Sequence, residues 1–149
     1  MDLLWQSWHH NELDTRTLYA ILALRNRVFI IEQHCLYQDV DGNDLKNDHR
    51  HITAFKNQEL IAYARILTHD QGVSIGRVII SEQARGYKLG QQLMTRTLAD
   101  CHAFWPGQKI SLSAQAHLQD FYRRSGFTAT TDVYDEDGIP HIGMTYRPL

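Results

Sequence analysis

The residues best placed to do chemistry lie in one unbroken segment, Arg77-Val78-Ile79-Ile80-Ser81-Glu82-Gln83-Ala84-Arg85-Gly86-Tyr87-Lys88-Leu89-Gly90-Gln91-Gln92-Leu93-Met94, where an apolar run gives way to a polar loop and then to a helical pattern. Gly86 and Gly90 let a backbone turn tightly and bare its N–H groups, and a helix starting near Leu89 points the positive end of its dipole into the same loop. Arg85 and Lys88 add formal charge beside those amides, and Arg85 can grip a phosphate through two parallel N–H bonds. This spacing supports the cradling of a phosphate or pyrophosphate. The same glycines also suit a plain helix entrance, and the segment alone does not separate the two uses. Two specific phosphate loops are excluded: Lys88 is followed by Leu89, so there is no GxxxxGK[ST], and no GxGxxG occurs. A GTP or ATP site of the first kind therefore lacks its lysine.

Other groupings carry less. Asp39-Val40-Asp41-Gly42-Asn43-Asp44 invites a calcium reading, but an EF-hand needs Gly at the sixth position and Glu at the twelfth, whereas here Gly is fourth and Arg50 twelfth. Its carboxylates read either as caps for neighbouring amides or as a surface for a cationic partner, and Asp135, Glu136 and Asp137 carry the same two readings. His49 and His51 alternate at the start of a strand, yet no third ligand has metal spacing, so they read as surface or packing residues and no metal is expected. Arg25 and Arg27, near the end of a helix, belong either to a solvated face or to a segment that closes over a site.

The elements that must hold these groups follow from periodicity. Asp14 to about Glu32 places Leu18, Ile21, Leu22, Val28 and Phe29 near one helical face, with Asp14 as cap. His34 to Asn47 is polar and turn-rich, an irregular loop crossing the surface. His51–Lys56 and Glu59–Leu67 form a hairpin about Asn57-Gln58, and Val73–Ser81 follows as a strand ending in the apolar Val78-Ile79-Ile80 of a buried centre. Leu89–Trp105 is the clearest helix, burying Leu93, Met94, Thr97, Leu98 and Cys101. Ile110–Ala114 is a strand, Leu118–Ser125 a short helix ended by Gly126, and Phe127–Tyr134 and His141–Tyr146 are two further strands. The order β-α-β-β-β-α-β-α-β-β describes a mixed α/β (α+β) sheet in one domain, residues 1–149.

Length and composition agree. The chain has 149 residues, 43% hydrophobic and 21% charged, with a net charge of −2, which suits one globular domain and leaves no room for a second. Lys and Arg are scattered rather than clustered, so nucleic acid is not an expected partner. No apolar run reaches the ~20 residues of a membrane span, and Met1-Asp2-Leu3-Leu4-Trp5-Gln6 lacks a basic start followed by an apolar stretch, so neither membrane nor export is expected. Cys35 and Cys101 are far apart and form no CxxC, consistent with reduced thiols and a cytoplasmic location.

Gln83-Ala84-Arg85-Gly86-Tyr87-Lys88 resembles the Q/R-x-x-G-x-G/A signature of the GNAT family of N-acetyltransferases, which bind acetyl-CoA. Gln115-Ala116-His117-Leu118-Gln119-Asp120-Phe121-Tyr122-Arg123-Arg124-Ser125-Gly126-Phe127 is similar to the family's N-x-x-A-x-x-F/L-Y-x-x-x-G-F at the expected distance downstream. Three further stretches, residues 28–33, 35–44 and 137–144, resemble the ElaA-like subgroup, so the similarity spans nearly the whole chain. Lys88 stands where the general signature has Gly or Ala, and Gln115 where Asn is commoner.

The resemblance implies the acyl-CoA N-acyltransferase fold, an acetyl transfer from acetyl-CoA to an amine by direct attack in a ternary complex, and no metal. It implies a pyrophosphate held by the backbone amides of Arg85, Gly86, Tyr87, Lys88, Leu89, Gly90 and Gln91. Pantetheine would lie along Val78, Ile79 and Ile80 like an added strand, with Gln115 on its arm and Leu118 and Phe121 among the cofactor contacts. The amide of Val78 or Ile79 would stabilise the oxyanion, and Tyr122 would protonate the departing thiolate. Tyr122 without the motif reads as a core tyrosine. The amine must lose a proton, directly or through water, to Glu32, Asp41 or His141, and nothing in the sequence separates these three. Cys35 has no neighbour in sequence to lower its thiol pKa and reads as structural or close to the acceptor. A non-catalytic CoA-binding or partner-regulating module is the rival reading. The acceptor is an unidentified small molecule or peptide amine, and exposed edge strands near the C-terminus would allow a homodimer.

Overall fold

Asp14 opens the first helix as expected: its carboxylate accepts the Thr17 amide at 2.7 Å, and helix α1 runs Thr15–Arg25. The predicted continuation to Glu32 changes pitch. Asn26–Glu32 wind as a π-helical turn closed by the Gln33 amide on the Val28 carbonyl at 3.0 Å. Widened turns of this kind accompany functional sites, and this one carries Phe29, Glu32 and Gln33 to one end of the sheet.

The protein is described by a computed structural model covering residues 2–147. Strand β1 (Leu4–His9) precedes α1, and β2 (Arg50–Lys56), β3 (Glu59–His69) and β4 (Gly72–Ile80) form an antiparallel meander against it. Helix α2 (Leu89–Phe104) crosses over to β5 (Lys109–Gln115), which pairs parallel to β4. Helix α3 (Gln119–Arg124) leads to β6 (Phe127–Ala129), β7 (Tyr134–Glu136) and β8 (Ile139–Tyr146). Among the described residues these eight strands make one sheet in the order β1-β2-β3-β4-β5-β8-β6, with β7 paired to β8.

Both faces of the sheet are covered, which explains why β3 is buried along most of its length. Leu89, Leu93, Met94, Leu98 and Cys101 of α2 pack with Ile52, Ile66, Ile75, Ile110 and Met144 in the larger core. Ile21, Leu24 and Val28 pack with Leu60, Tyr63 and Ile79 in a second core under α1. Each fully buried aliphatic side chain contributes about 1.5–3 kcal/mol.

The strand predicted over Phe127–Tyr134 divides in two, because Thr131 breaks the ladder. Its hydroxyl accepts the Gly143 amide at 2.8 Å, and a Cβ on Gly143 would stand 2.8 Å from the Thr131 methyl. The Thr130 amide still donates to the Gly143 carbonyl at 2.8 Å, and the strand ladder with β8 resumes at Tyr134, opposite His141.

Candidate active site

Strands β4 and β5 pair only at Gly72 with Lys109, Val73 with Ile110 and Ser74 with Ser111. Beyond that point β4 runs on to Ile80 and β5 to Gln115 with no ladder between them, so a sheet that is closed at one end forks open at the other. The cause lies in β4. Tyr63 faces Ile79 but Arg65 faces Gly76, so Arg77 and Val78 share the place opposite Ala64 in a bulge, with Arg77 at a φ of 51°. A bulge bends its strand and sharpens the twist, and here it accompanies the parting from β5. Ser81 donates its amide to the Ile61 carbonyl at 2.8 Å. By strand alternation Ile79 then points its amide at β3, while Val78 and Ile80 point theirs at the open edge. Arg85 Nε donates to the Ile80 carbonyl at 3.1 Å, in keeping with that orientation.

At the end of β4 the chain turns through Gly86, φ +90°, and Lys88, φ +58°, straight into α2. Lys88 thus adopts the left-handed conformation that glycine serves most cheaply. Gly90 has a different use from the one its spacing suggests. It lies inside the helix, and a Cβ there would meet the Phe121 ring at 2.8 Å, so it lets α3 close onto α2. Gln91 completes that join through its side chain, which accepts the Ser125 hydroxyl at 3.0 Å. Among the described residues no side chain caps α2, so the amides of Leu89, Gly90 and Gln91 remain available at its positive end.

The fork is continuous with a cavity of about 760 Å³ that reaches from Val78 on β4 and Gln115 on β5 to Leu118 and Tyr122. Tyr122 is 8% exposed, with Phe121 and Phe127 edge-on to its ring, and its hydroxyl has no hydrogen-bond partner among the described residues. Burial pushes the phenol up to about 12, so it holds its proton at neutral pH and has that proton to donate. Gln115 donates to the Gln33 side chain at 3.2 Å, which ties the end of β5 to the end of the π-helical turn. Leu118 and Tyr87 are exposed, and Phe121 is packed beneath Gly90.

The loop predicted to cross the surface carries a buried ionic network instead. Arg25 is 0% exposed, which corrects the solvated-face reading, and it binds Asp39 at 2.8 Å and Asp44 at 2.5 Å. Arg65 holds Asp41 at 2.8 Å and Asp44 at 3.0 Å, and Arg77 reaches Asp39 at 2.8 Å and Asp41 at 3.4 Å. Three guanidinium groups thus match three carboxylates, and those of Asp39 and Asp44 are neither solvated nor used as amide caps. Burial opposes the charge on Asp41 and Asp44, but hydrogen bonds from Arg65 and Arg25 hold both well below the usual carboxylate range. His49 and His51 are buried too, with ring nitrogens on the carbonyls of Asn43 at 2.7 Å and Asp44 at 2.9 Å. The network fastens the loop so that Cys35, Tyr37 and Asp41 form one wall of the cavity. Burial, with the charge of Asp137, raises the Cys35 thiol, which removes it as a nucleophile.

The three side chains weighed as bases are not brought together. Glu32 pairs with Arg85 at 2.7 Å and does not line the cavity. Asp41 lines it but is bound by Arg65. His141 lines it with both ring nitrogens engaged, Nδ1 2.8 Å from the Ile139 carbonyl and Nε2 3.3 Å from the Glu136 carboxylate. Arg77 and Ser113 are cavity residues that sequence reasoning does not single out, and Glu136 and Asp137, which the sequence offers as a surface for a cationic partner, line it too.

An extended acyl carrier with a phosphorylated end can enter a parallel strand pair that opens in this way, and a fork of this kind defines the class of acyl-CoA N-acyltransferases. Residues 19–148 match the acetyltransferase (GNAT) domain family, and the chain belongs to that family, in its ElaA-like branch. Protein ElaA of Escherichia coli is 58% identical over 143 residues, covering 94% of each chain. The crystal structure of E. coli ElaA superposes with a TM-score of 0.94 at 55% identity, covering 98% of this chain and 100% of that one. The crystal structure of an acyl-CoA N-acyltransferase from Pseudomonas aeruginosa does so with a TM-score of 0.94 at 49% identity, covering 97% and 99%. The protein is an acyltransferase with a CoA-type cosubstrate. Among the described residues no helix is long and apolar enough to cross a membrane.

Proposed function

We propose that the protein transfers an acetyl group from acetyl-CoA to a primary amine within a ternary complex. The observation that carries this reading is the forked β4–β5 edge with an uncapped helix at one end and a phenol without a partner inside. Pantetheine adds to the β4 edge through Val78 and Ile80, whose amides point into the fork, while Ile79 keeps its side chain in the core under α1. The amides between Arg85 and Gln91 hold the pyrophosphate, with Gly86 and Lys88 setting the turn, Tyr87 and Lys88 flanking it, and Leu89 anchoring the helix in the core. Arg85 leaves Glu32 to join that contact. Gln115 and Leu118 flank the arm, and Phe121 fixes Tyr122 in place.

The amine attacks the thioester carbonyl, whose oxygen takes the developing charge under the Val78 amide. Collapse breaks the C–S bond, and Tyr122 gives its proton to the thiolate. The reaction runs in the cytoplasm on this reading, with Cys35 and Cys101 reduced, and no metal takes part. Calorimetric titration with acetyl-CoA, paired with thiol release against polyamines, amino acids and peptides, tests it. Binding with acceptor-dependent release is the expected result. Binding with no release from any acceptor would favour a non-catalytic module, and absence of binding would overturn the cradle.

A further inference from the structure

The transfer reading leaves the amine's proton without a destination, and the charges around the cavity narrow the choice. Asp41, Arg65 and Arg77 are balanced within the network of three arginines and three aspartates, and Lys109 sits at the start of β5 beside the closed end of the fork. Glu136 and Asp137, on the β7–β8 turn, are the carboxylates at the cavity that no arginine holds among the described residues. Glu136 is held from behind by a hydroxyl and an imidazole nitrogen instead of a guanidinium. The Ser113 hydroxyl donates to its Oε1 at 3.3 Å, and His141 Nε2 lies 3.3 Å from its Oε2. His141 is itself fixed by the Ile139 carbonyl at 2.8 Å and by the Tyr134 ring stacked on it. Ser113 stands on β5 two residues past the last β4–β5 pair, so the carboxylate is placed just inside the fork. The Glu136 side chain is half exposed and has lone pairs to spare on both oxygens. Tyr122, more than nine-tenths buried and without a partner, lines the same cavity.

Resting on the transfer reading, we infer that Glu136 receives the acceptor as a cationic primary ammonium and takes its proton, with Ser113 and His141 as positioning residues and Asp137 adding attraction for the cation. The step balances. R–NH3+ gives one proton to the Glu136 carboxylate, which later releases it to solvent, and the freed lone pair forms the N–C bond. The C–S bond breaks, the thiolate takes the Tyr122 proton, and the tyrosinate recovers one from the nitrogen as the amide forms. The products are the acetamide, CoA thiol and one proton.

The test compares Glu136→Gln with the wild type on two amines, cadaverine, which is protonated at neutral pH, and trifluoroethylamine, which is already neutral there. General-base removal should slow cadaverine about 100-fold and trifluoroethylamine less than about tenfold, with acetyl-CoA affinity and the thermal midpoint as in the wild type. Asp137→Asn, which keeps the base, should raise KM for cadaverine several-fold while kcat falls less. Equal losses on both amines, or no loss on either, would overturn the role of Glu136 and leave the transfer reading standing. A wild type that binds acetyl-CoA yet releases no CoA with either amine would overturn both.

Discussion

His51 offers a direct measure of how firmly the cavity wall is held. It is fully buried, with Nδ1 2.6 Å from the Tyr63 hydroxyl and Nε2 2.9 Å from the Asp44 carbonyl. A neutral ring satisfies both, since Nε2–H donates to the carbonyl and Nδ1 accepts from the phenol. A second ring proton would face that hydroxyl beside Arg25 and Arg65. Burial, helped by those two charges and opposed by Asp44, pushes His51 from 6.5 down to about 4. Between these values the unfolded chain binds the proton and the folded chain does not, so stability falls as pH is lowered. The contribution is whole above pH 6.5 and gone by about pH 4, and the gap converts to about 3 kcal/mol. Urea unfolding from neutrality to about pH 4 should show the wild type losing about 3 kcal/mol more than His51→Gln, which has no ring to titrate. Asp41 and Asp44, held below the usual range, add their own loss at lower pH in both chains. Parallel curves for the two proteins would refute the reasoning.

Tyr122→Phe should lower kcat about 100-fold or more while acetyl-CoA binds as before, since the ring's packing survives and only the donor is lost; stopped-assay turnover with calorimetry separates the two, and full turnover would remove Tyr122 from the reaction. Glu32→Gln frees Arg85 from a surface pair worth at most about 1 kcal/mol, so acetyl-CoA should bind up to about fivefold tighter with turnover kept; a large loss of kcat would instead make Glu32 the base. Gly90→Ala drives a methyl into the Phe121 ring, where the Cβ would sit 2.8 Å from Cε1, and should cost about 1–3 kcal/mol in urea unfolding. Phe121→Leu in the same chain should recover part of that loss.

The α2 entrance is legible in sequence because its determinants are neighbours along the chain: an apolar strand, a turn through Gly86, two cations and a periodic helix all fall between residues 77 and 94. Even there, Gly90 looks like a turn residue and proves to be a packing residue, since Phe121, whose ring needs the space, lies thirty-one positions away. The arginine network is illegible for the same reason on a larger scale. Arg25, Arg65 and Arg77 belong to α1, β3 and a bulge in β4, and only the register that sets Gly76 against Arg65 brings them over one loop. Sequence treats the carboxylates of 39–44 and of 135–137 alike, as two acidic runs.

The fold separates them. Asp39, Asp41 and Asp44 meet three guanidinium groups and bring no net charge to the cavity, whereas the later run divides by position on its hairpin. Asp135 accepts the Gly138 amide within the turn at 3.2 Å, and Glu136, the next residue, reaches Ser113 and His141. Alternation along β7 makes that division, since adjacent side chains of a strand leave on opposite faces. The acidic segment that looks most like a cation site is therefore the one already neutralised from within. The carboxylates that no arginine holds among the described residues lie where the short β7 turns into β8, next to the β4–β5 fork.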